Sequence, residues 1–492
     1  MSERESIIKH HWRAFFSGSA LSLTRLLTGF VRIKYVALVL GTAGVGFLSQ
    51  ATQLQLLGIS IASLSLAVGI INRMGALGDK RDYERRMLST AFTAQITVAS
   101  AMLLLAVASP ARLTIALFGR DTPLSSFGIS SFEVLAVVFS VPLSVVASGY
   151  LEGVFFGGGR YDLYVKASIW ATVSGFVSTL AMIWFWRLPG AFWSIFASSA
   201  LLLTAFLVFV RRIRPYSHLF RFGFDLSEAN ALVRFSIVML VSGALVPLAR
   251  LWIQRDVIVR YGPDSNGLLQ VPLAITAYYT PFLTNALWGR LHPTITRVGA
   301  SPEGRRELTA ALRVTATLSA AAIAAILFLK DVLVPLAYSP AFVPATNLLP
   351  AELVGDYFYF IALTFSVYAL GLSRLRVYLA GWIGYSVIAL LGSLYLVRHI
   401  GIVGVPIGYG ISAVAACGVS LVWFLGNTDE DTARTCVIVA AGLAVSAIQA
   451  WLAWTDRLQI LQGVIVAGTA TAAALSLWRA SVGPSTKATT VP

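Results

Sequence analysis

Residues 14–71 read AFFSGSALSLTRLLTGFVRIKYVALVLGTAGVGFLSQATQLQLLGISIASLSLAVGII. Two apolar runs, 14–38 and 47–71, flank the turn Gly41-Thr42-Ala43-Gly44-Val45-Gly46. A helix of about 20 mainly apolar residues crosses a bilayer. The stretch therefore predicts two spanning helices joined by a tight, glycine-rich turn. Twelve more apolar segments follow, near 88–108, 132–151, 164–186, 190–210, 234–258, 267–289, 312–329, 350–370, 376–396, 402–425, 435–454 and 459–478. Pro335, Pro340, Pro344 and Pro350 interrupt the chain between 329 and 350, which predicts a short re-entrant or interfacial piece there. The fold class expected is an all-α polytopic membrane protein of about fourteen transmembrane helices.

Composition agrees. Of 492 residues, 57% are hydrophobic and only 12% charged, too few charges to cover a soluble surface of that apolarity. That excludes an ordinary soluble enzyme and a disordered chain. The net charge of +15 suggests nucleic acid at first sight, but arginines in cytoplasmic loops account for it. With the N-terminus inside, 25 of the 37 basic residues fall on the cytoplasmic side, among them Arg73, Lys80, Arg160, Arg211, Arg221, Arg305 and Arg374. Both termini are expected in the cytoplasm. The loop with Asp429, Glu430 and Asp431 runs against the trend, but acids weigh little in that rule. No removable signal peptide is read at the N-terminus; the first helix is the membrane signal. The loops are too short to hold a folded domain, so function must lie in the membrane or at its faces.

A weak internal repeat is visible. An offset of 221 aligns Lys34 with Arg255, Gly41 with Gly262 and Gly46 with Gly267. Each copy begins a block of six helices, a transporter plan. The expected division is an N-terminal lobe over 1–225, a C-terminal lobe over 226–428, and two extra helices with a tail over 429–492.

A few charges fall inside or beside the apolar runs. Arg25 lies halfway along the first and shares a face with Arg32, seven residues on; Lys34 follows near its outer end. No acid occurs between Glu5 and Asp79 to pair with them locally. An arginine at that depth costs several kcal/mol unless it faces water or a partner. Arg250 and Arg255 repeat the theme in the seventh segment, beside Asp256 and Arg260. Guanidinium groups facing a shared cavity would bind an anion, a diphosphate being the natural candidate, whereas snorkelling or an ion pair with another helix is the plainer reading. Glu352 and Asp356, four apart, share a helical face and form a candidate coupling site for H+ or Na+; the alternative is a solvated pair or partners for Lys330. No other cofactor is expected. The run from Glu152 to Tyr161, EGVFFGGGRY, lacks the lysine and hydroxyl of a phosphate cradle and reads as a cytoplasmic turn. Tyr278, Tyr279, Tyr357 and Tyr359 either line a sugar path or pack at an interface. No metal pair, nucleophilic triad or disulfide framework appears, so catalysis is not expected.

The run GTAGVGFLSQATQLQ at 41–55, continued by LLGISIASLSLAVGIINRM, resembles the Wzx polysaccharide flippases of the MOP exporter superfamily, and most the WzxE type. Thr42 stands where that type has proline, and Thr52-Gln53-Leu54 where it has Arg-Gln-Leu. Leu353-Val354-Gly355-Asp356 is similar to the family's Leu-Val-Gly-Asp run. Family members usually have twelve helices, so the last two segments are an extension closer to the MurJ-type or longer export branches. The resemblance implies two six-helix lobes in a V, with a cationic central cavity. It implies transport of undecaprenyl-diphosphate-linked oligosaccharide across a bacterial inner membrane by alternating access, for O-antigen, common antigen or exopolysaccharide. The bilayer, a polysaccharide polymerase and a chain-length regulator are the expected partners. A lipid II flippase, a MATE-type drug or cation exporter, and a membrane-embedded glycosyltransferase or polymerase are the alternatives.

Overall fold

The computed structural model describes residues 3–77, 81–122, 124–425, 431–455 and 459–481. Lys80, Asp429 and Glu430, named above, lie outside them, as does the tail after Ser481. The ordered elements among the described residues are all helical. Nine helices there are long and apolar enough to cross a membrane, and four of these, at 43 to 63 residues, are long enough for two crossings.

The long helices are broken where the sequence predicts separate spans. Helix α1 (Glu3–Ala62) breaks at Gly41, with φ 66° and ψ −169°. After a turn at residues 63–65 it leads into α2 (Leu66–Leu77). Helices α3 (Arg81–Ala108) and α4 (Pro110–Phe118) follow. The expected fourth segment is α5 (Ser131–Ser144), a π-helical turn over Val145–Leu151, and α6 (Glu152–Gly157). The stretch expected as a turn from Glu152 onward is thus helical as far as Gly157, and the turn itself is confined to residues 158–160. Helix α7 (Tyr161–Val210) breaks at Arg187, between the two apolar runs read from sequence. A Cβ at Gly190 would lie 2.0 Å from the Met182 carbonyl oxygen, so only glycine fits that hairpin. Helix α8 (Tyr216–Leu219) is one turn; α9 (Leu226–Ala286) breaks at Gly262, with φ 84° and ψ 166°. A π-helical turn over Leu287–Leu291 leads into α10 (His292–Val298). Helix α11 (Pro302–Ala337) precedes a 3-10 stretch over Pro340–Asn347, where the prolines predicted an irregular piece. Helices α12 (Leu349–Gly371), α13 (Leu375–Ile400), α14 (Gly404–Leu425), α15 (Asp431–Thr455) and α16 (Gln459–Ser481) complete the chain.

The chain divides into two compact units. Unit 1 comprises Met1–Gly267 with Ala337–Ser339. One of its cores gathers Phe92, Tyr150, Phe155 and Phe206, and another gathers Phe47, Phe118 and Phe192. Gly149, Gly153 and Gly157 recur every four residues, and a Cβ on each would meet Ser63, Ile70 and Met74 in turn at 2.8–3.1 Å. This small-residue stripe lets the fourth segment lie directly on the second, as membrane helices do where van der Waals contact replaces hydrophobic drive. Polar side chains tie the interior: Gln55 Nε2 donates to Ser140 and Ser199 at 3.0 Å, and Gln95 Nε2 to the Ser63 carbonyl at 2.8 Å.

The two aligned glycines, Gly41 and Gly262, adopt the same left-handed conformation. Just beyond them the two breaks interlock. Asn266 Nδ2 donates to the Gly46 carbonyl at 2.7 Å, and the Thr42 hydroxyl donates to Asp264. A Cβ at Gly46 would lie 2.0 Å from the Pro263 carbonyl oxygen, and one at Gly267 equally close to that of Thr42.

Unit 2 comprises Leu268–Leu336 and Pro340–Pro492. Helix α12 is buried along most of its length and packs on α13, α14 and α15. Gly355 closes on the Tyr409 ring, and Gly408 on the backbone of Ser393. The Tyr357 hydroxyl reaches the Val439 carbonyl of α15 at 2.8 Å, so this tyrosine serves packing.

Candidate functional site

In unit 1, Arg25 is exposed on α1, within its long apolar stretch Ala20–Ala62, which also holds Arg32 and Lys34. Tyr164 is buried against Phe156, Tyr161 and Phe206, with ring centroids 4.7, 6.0 and 5.8 Å away. Glu152, expected in a turn, is instead half-buried on α6.

The other unit 1 candidates lie elsewhere. Arg32 is exposed and Lys34 half-buried. Arg250 and Arg255 are both half-buried on α9, whose residues 251–254 pack along the chain at 49–50. There Gln50 Nε2 donates to the carbonyls of Leu117 and Leu251 at 2.9 and 3.2 Å, and Ser49 to Gln254 at 3.2 Å. The Arg255 guanidinium sits over the Trp252 ring, 5.6 Å from its centroid, and its buried Nε makes no protein hydrogen bond. Asp256 pairs with Arg260 at 2.9 Å.

In unit 2, Asp356 is 0% exposed and Glu352, one turn earlier on α12, is 3% exposed. Asp356 Oδ2 accepts from Thr276 at 2.6 Å and Tyr279 at 2.5 Å; Oδ1 accepts from Tyr409 at 2.7 Å. These three neutral O–H donors gather on a carboxyl group that is shut away from solvent. Hydroxyls can turn away, so the same cluster can exchange donors for a proton or a small cation. Tyr279, read as a possible sugar contact, is therefore a carboxylate partner. Tyr359 instead joins a ring cluster with Trp382, Tyr385 and Tyr409, at centroid distances of 5.9–6.4 Å. Thr276 and Tyr409 were not legible, lying 80 and 53 residues from Asp356. Lys330 Nζ is 3.4 Å from Asp331. A groove of about 470 Å³ on unit 2, lined by Val354, Phe358, Ile411, Val414, Trp451 and Trp454 among others, is apolar and suits hydrocarbon.

Such an architecture, built of long apolar helices, is that of a polytopic membrane protein. Solved structures agree on the fold. A lipid II flippase, MurJ, in an inward closed conformation matches with a TM-score of 0.70 at 12% identity, over 95% of this chain and 99% of that one. A multidrug resistance MATE family transporter of the MOP superfamily, facing inward, matches with a TM-score of 0.62 at 14% identity, over 85% and 95%. Residues 54–347, more than half the chain, match the family described as "Polysaccharide biosynthesis protein", and the chain belongs to it. Among curated proteins, the lipid III flippase of Escherichia coli (strain K12) is 23% identical over 415 residues, covering 82% of this chain and 97% of the relative. The same figures hold for the lipid III flippase of Shigella flexneri.

Proposed function

We propose that the protein is a Wzx-type flippase that carries undecaprenyl-diphosphate-linked oligosaccharide across a bacterial inner membrane for surface polysaccharide assembly. The observation that carries this reading is Arg25: a guanidinium exposed within a membrane-spanning helix of a polysaccharide-biosynthesis family member. A head group with sugars and phosphates crosses hydrocarbon only at high cost, so a carrier must solvate it and balance its charge. Arg25, with Arg32 and Lys34, and Arg250, with Arg255, supply that charge from two helices of unit 1. Guanidinium matches phosphate oxygens two at a time, which favours phosphate over a cationic cargo.

Asp356, with Glu352 beside it, is the coupling group. Uptake of H+ or Na+ at Asp356 breaks its hydroxyl cage and shifts the balance between inward-open and outward-open arrangements of two six-helix lobes, divided near 225 and 428. Both termini lie in the cytoplasm.

The test is a deletion strain complemented with wild-type protein, Arg25→Ala or Arg250→Ala, each checked for membrane abundance. Lipid-linked oligosaccharide should accumulate on the inner leaflet in the deletion and in both variants. Wild-type export by a variant removes that arginine from the site. Accumulation on the outer leaflet, or lipid lacking sugars, would overturn the transport reading in favour of an enzyme.

A further inference from the structure

The stretch between α7 and α9, residues 211–225, is held against the rest of unit 1 along its length. Arg214 grips Glu84 of α3 with two bonds, from Nε at 3.0 Å and from a terminal nitrogen at 3.1 Å. The Tyr150 hydroxyl donates to the Leu219 carbonyl at 2.6 Å, and the rings of Phe220 and Phe222 lie 5.3 and 5.6 Å from that of Phe92. The backbone N–H of Gly223 donates to Thr93 Oγ1, and that of Asp225 to Thr90 Oγ1, each at 3.0 Å. Those two threonines give the depth. The apolar run of α3 begins at Leu88, shortly before them. At 1.5 Å per residue, the chain at 223–225 reaches about 3–8 Å into that run. Side chains rather than water meet its N–H groups there, as backbone near hydrocarbon depth requires.

The outward side of this stretch is apolar, where a loop in water is polar. Phe222, Phe224 and Leu226 are 76%, 60% and 76% exposed, although the backbone bearing them is fixed. Arg211, Arg212 and Arg221 are exposed beside them, and the Arg212 guanidinium sits over the Phe209 ring, 5.5 Å from its centroid. The acids nearby are already engaged: Glu84 by Arg214, Glu228 by Arg73, and Asp225 by the N–H groups of Ser227 and Glu228. Exposed rings and exposed guanidinium groups therefore share one surface. A phospholipid matches both at once, its acyl chains taking the rings and its phosphate the guanidinium groups. We propose that residues 211–226 form an interfacial anchor that binds anionic phospholipid. Phe222, Phe224 and Leu226 lie at the edge of the acyl chains, and Arg211, Arg212 and Arg221 lie in the head-group layer. Each arginine there favours an anionic leaflet by about fivefold. None of the three belongs to the arginines assigned to cargo, so the anchor stands apart from that reading.

The experiment uses the full chain in phosphatidylcholine nanodiscs, with melting temperature as the check on folding. A photoactivatable phosphatidylglycerol is crosslinked and its adducts on residues 211–226 are mapped by mass spectrometry. Unlabelled phosphatidylglycerol should suppress those adducts at a concentration at least fivefold lower than phosphatidylcholine does. Arg221→Gln should cut that preference about fivefold, and Arg211→Gln, Arg212→Gln and Arg221→Gln together should abolish it. Equal competition by the two lipids overturns the proposal, as does a preference that the triple variant retains. If the triple variant does not fold, Arg221→Gln alone carries the comparison. Depth is read from spin labels on single cysteines at Phe222 and Phe224, in a background lacking Cys417 and Cys436. Both labels should meet dissolved oxygen more readily than a water-soluble nickel chelate, and one at exposed Asp82, ahead of the apolar run of α3, should show the reverse. Labels at 222 and 224 that meet the chelate as freely as the one at Asp82 put the rings in water and overturn the anchor. Undecaprenyl diphosphate displacing the photolipid at lower concentration than phosphatidylglycerol would assign the surface to cargo and overturn it too. Wild-type export by Arg25→Ala, in contrast, counts against the cargo site and leaves the anchor standing.

Discussion

Asp356 and Arg25 show what a single charge in an apolar helix requires. Asp356 is fully buried, with three hydroxyls donating to it from two other elements. A hydrogen bond to a charged group contributes about 1.5–3 kcal/mol. Tyr409→Phe should therefore lower the melting temperature of the purified protein, and Asp356→Asn should leave cargo binding intact while reducing transport by tenfold or more. Loss of binding in Asp356→Asn, measured by titrating undecaprenyl diphosphate, would instead make Asp356 part of the cargo site. The candidates themselves were legible, because a charge in an apolar run stands out. Their partners were not. Thr276 and Tyr409 look ordinary in sequence.

At the level of elements, the glycines decide the architecture. Gly46 and Gly267 each touch a carbonyl of the other break, with no room for a Cβ. Gly46→Ala should overpack that contact at a cost of about 1–3 kcal/mol, visible as a lower yield of monodisperse protein. Gly153→Leu should do the same between α2 and α6. The start of α9 makes a pH prediction. Asp225 accepts from the backbone N–H groups of Ser227 and Glu228 at 2.9 and 3.3 Å, capping the helix. Hydrogen bonding, from Ser227 first and Glu228 next, holds its carboxyl below the usual carboxylate range. A lowered folded-state value means the cap stabilises above the ordinary carboxylate pKa of about 4 and is lost as pH falls through the lower folded-state value. Asp225→Ala should then lower the melting temperature at neutral pH and have less effect in strong acid. An equal effect at both would assign the change to something other than the ionised cap. Sequence showed where the helices break, at Gly41, before Pro189 and at Gly262. It did not show that the first and third breaks lock together, which depends on how the helices pack.

For the whole molecule, the arginine distribution predicts orientation. Single cysteines placed at Arg160 and Arg221, in a background lacking Cys417 and Cys436, should react with an impermeant maleimide only from the cytoplasmic side, and one at Trp186 only from outside. The opposite pattern would invert the topology. The fold class followed from sequence because a bilayer imposes length and apolarity on each segment separately, and each of the fourteen segments expected falls on helix, apart from the turn at 63–65. The break at Gly41 and the charges in the apolar runs were fixed the same way, by rules that act within a few residues, although residues 42–46, expected as a turn, are helical. The hydroxyl cage around Asp356 and the interlocked breaks were decided only by the tertiary structure. Each depends on side chains that are dozens to hundreds of residues apart and are brought within a few ångströms by close packing, a property no local pattern encodes.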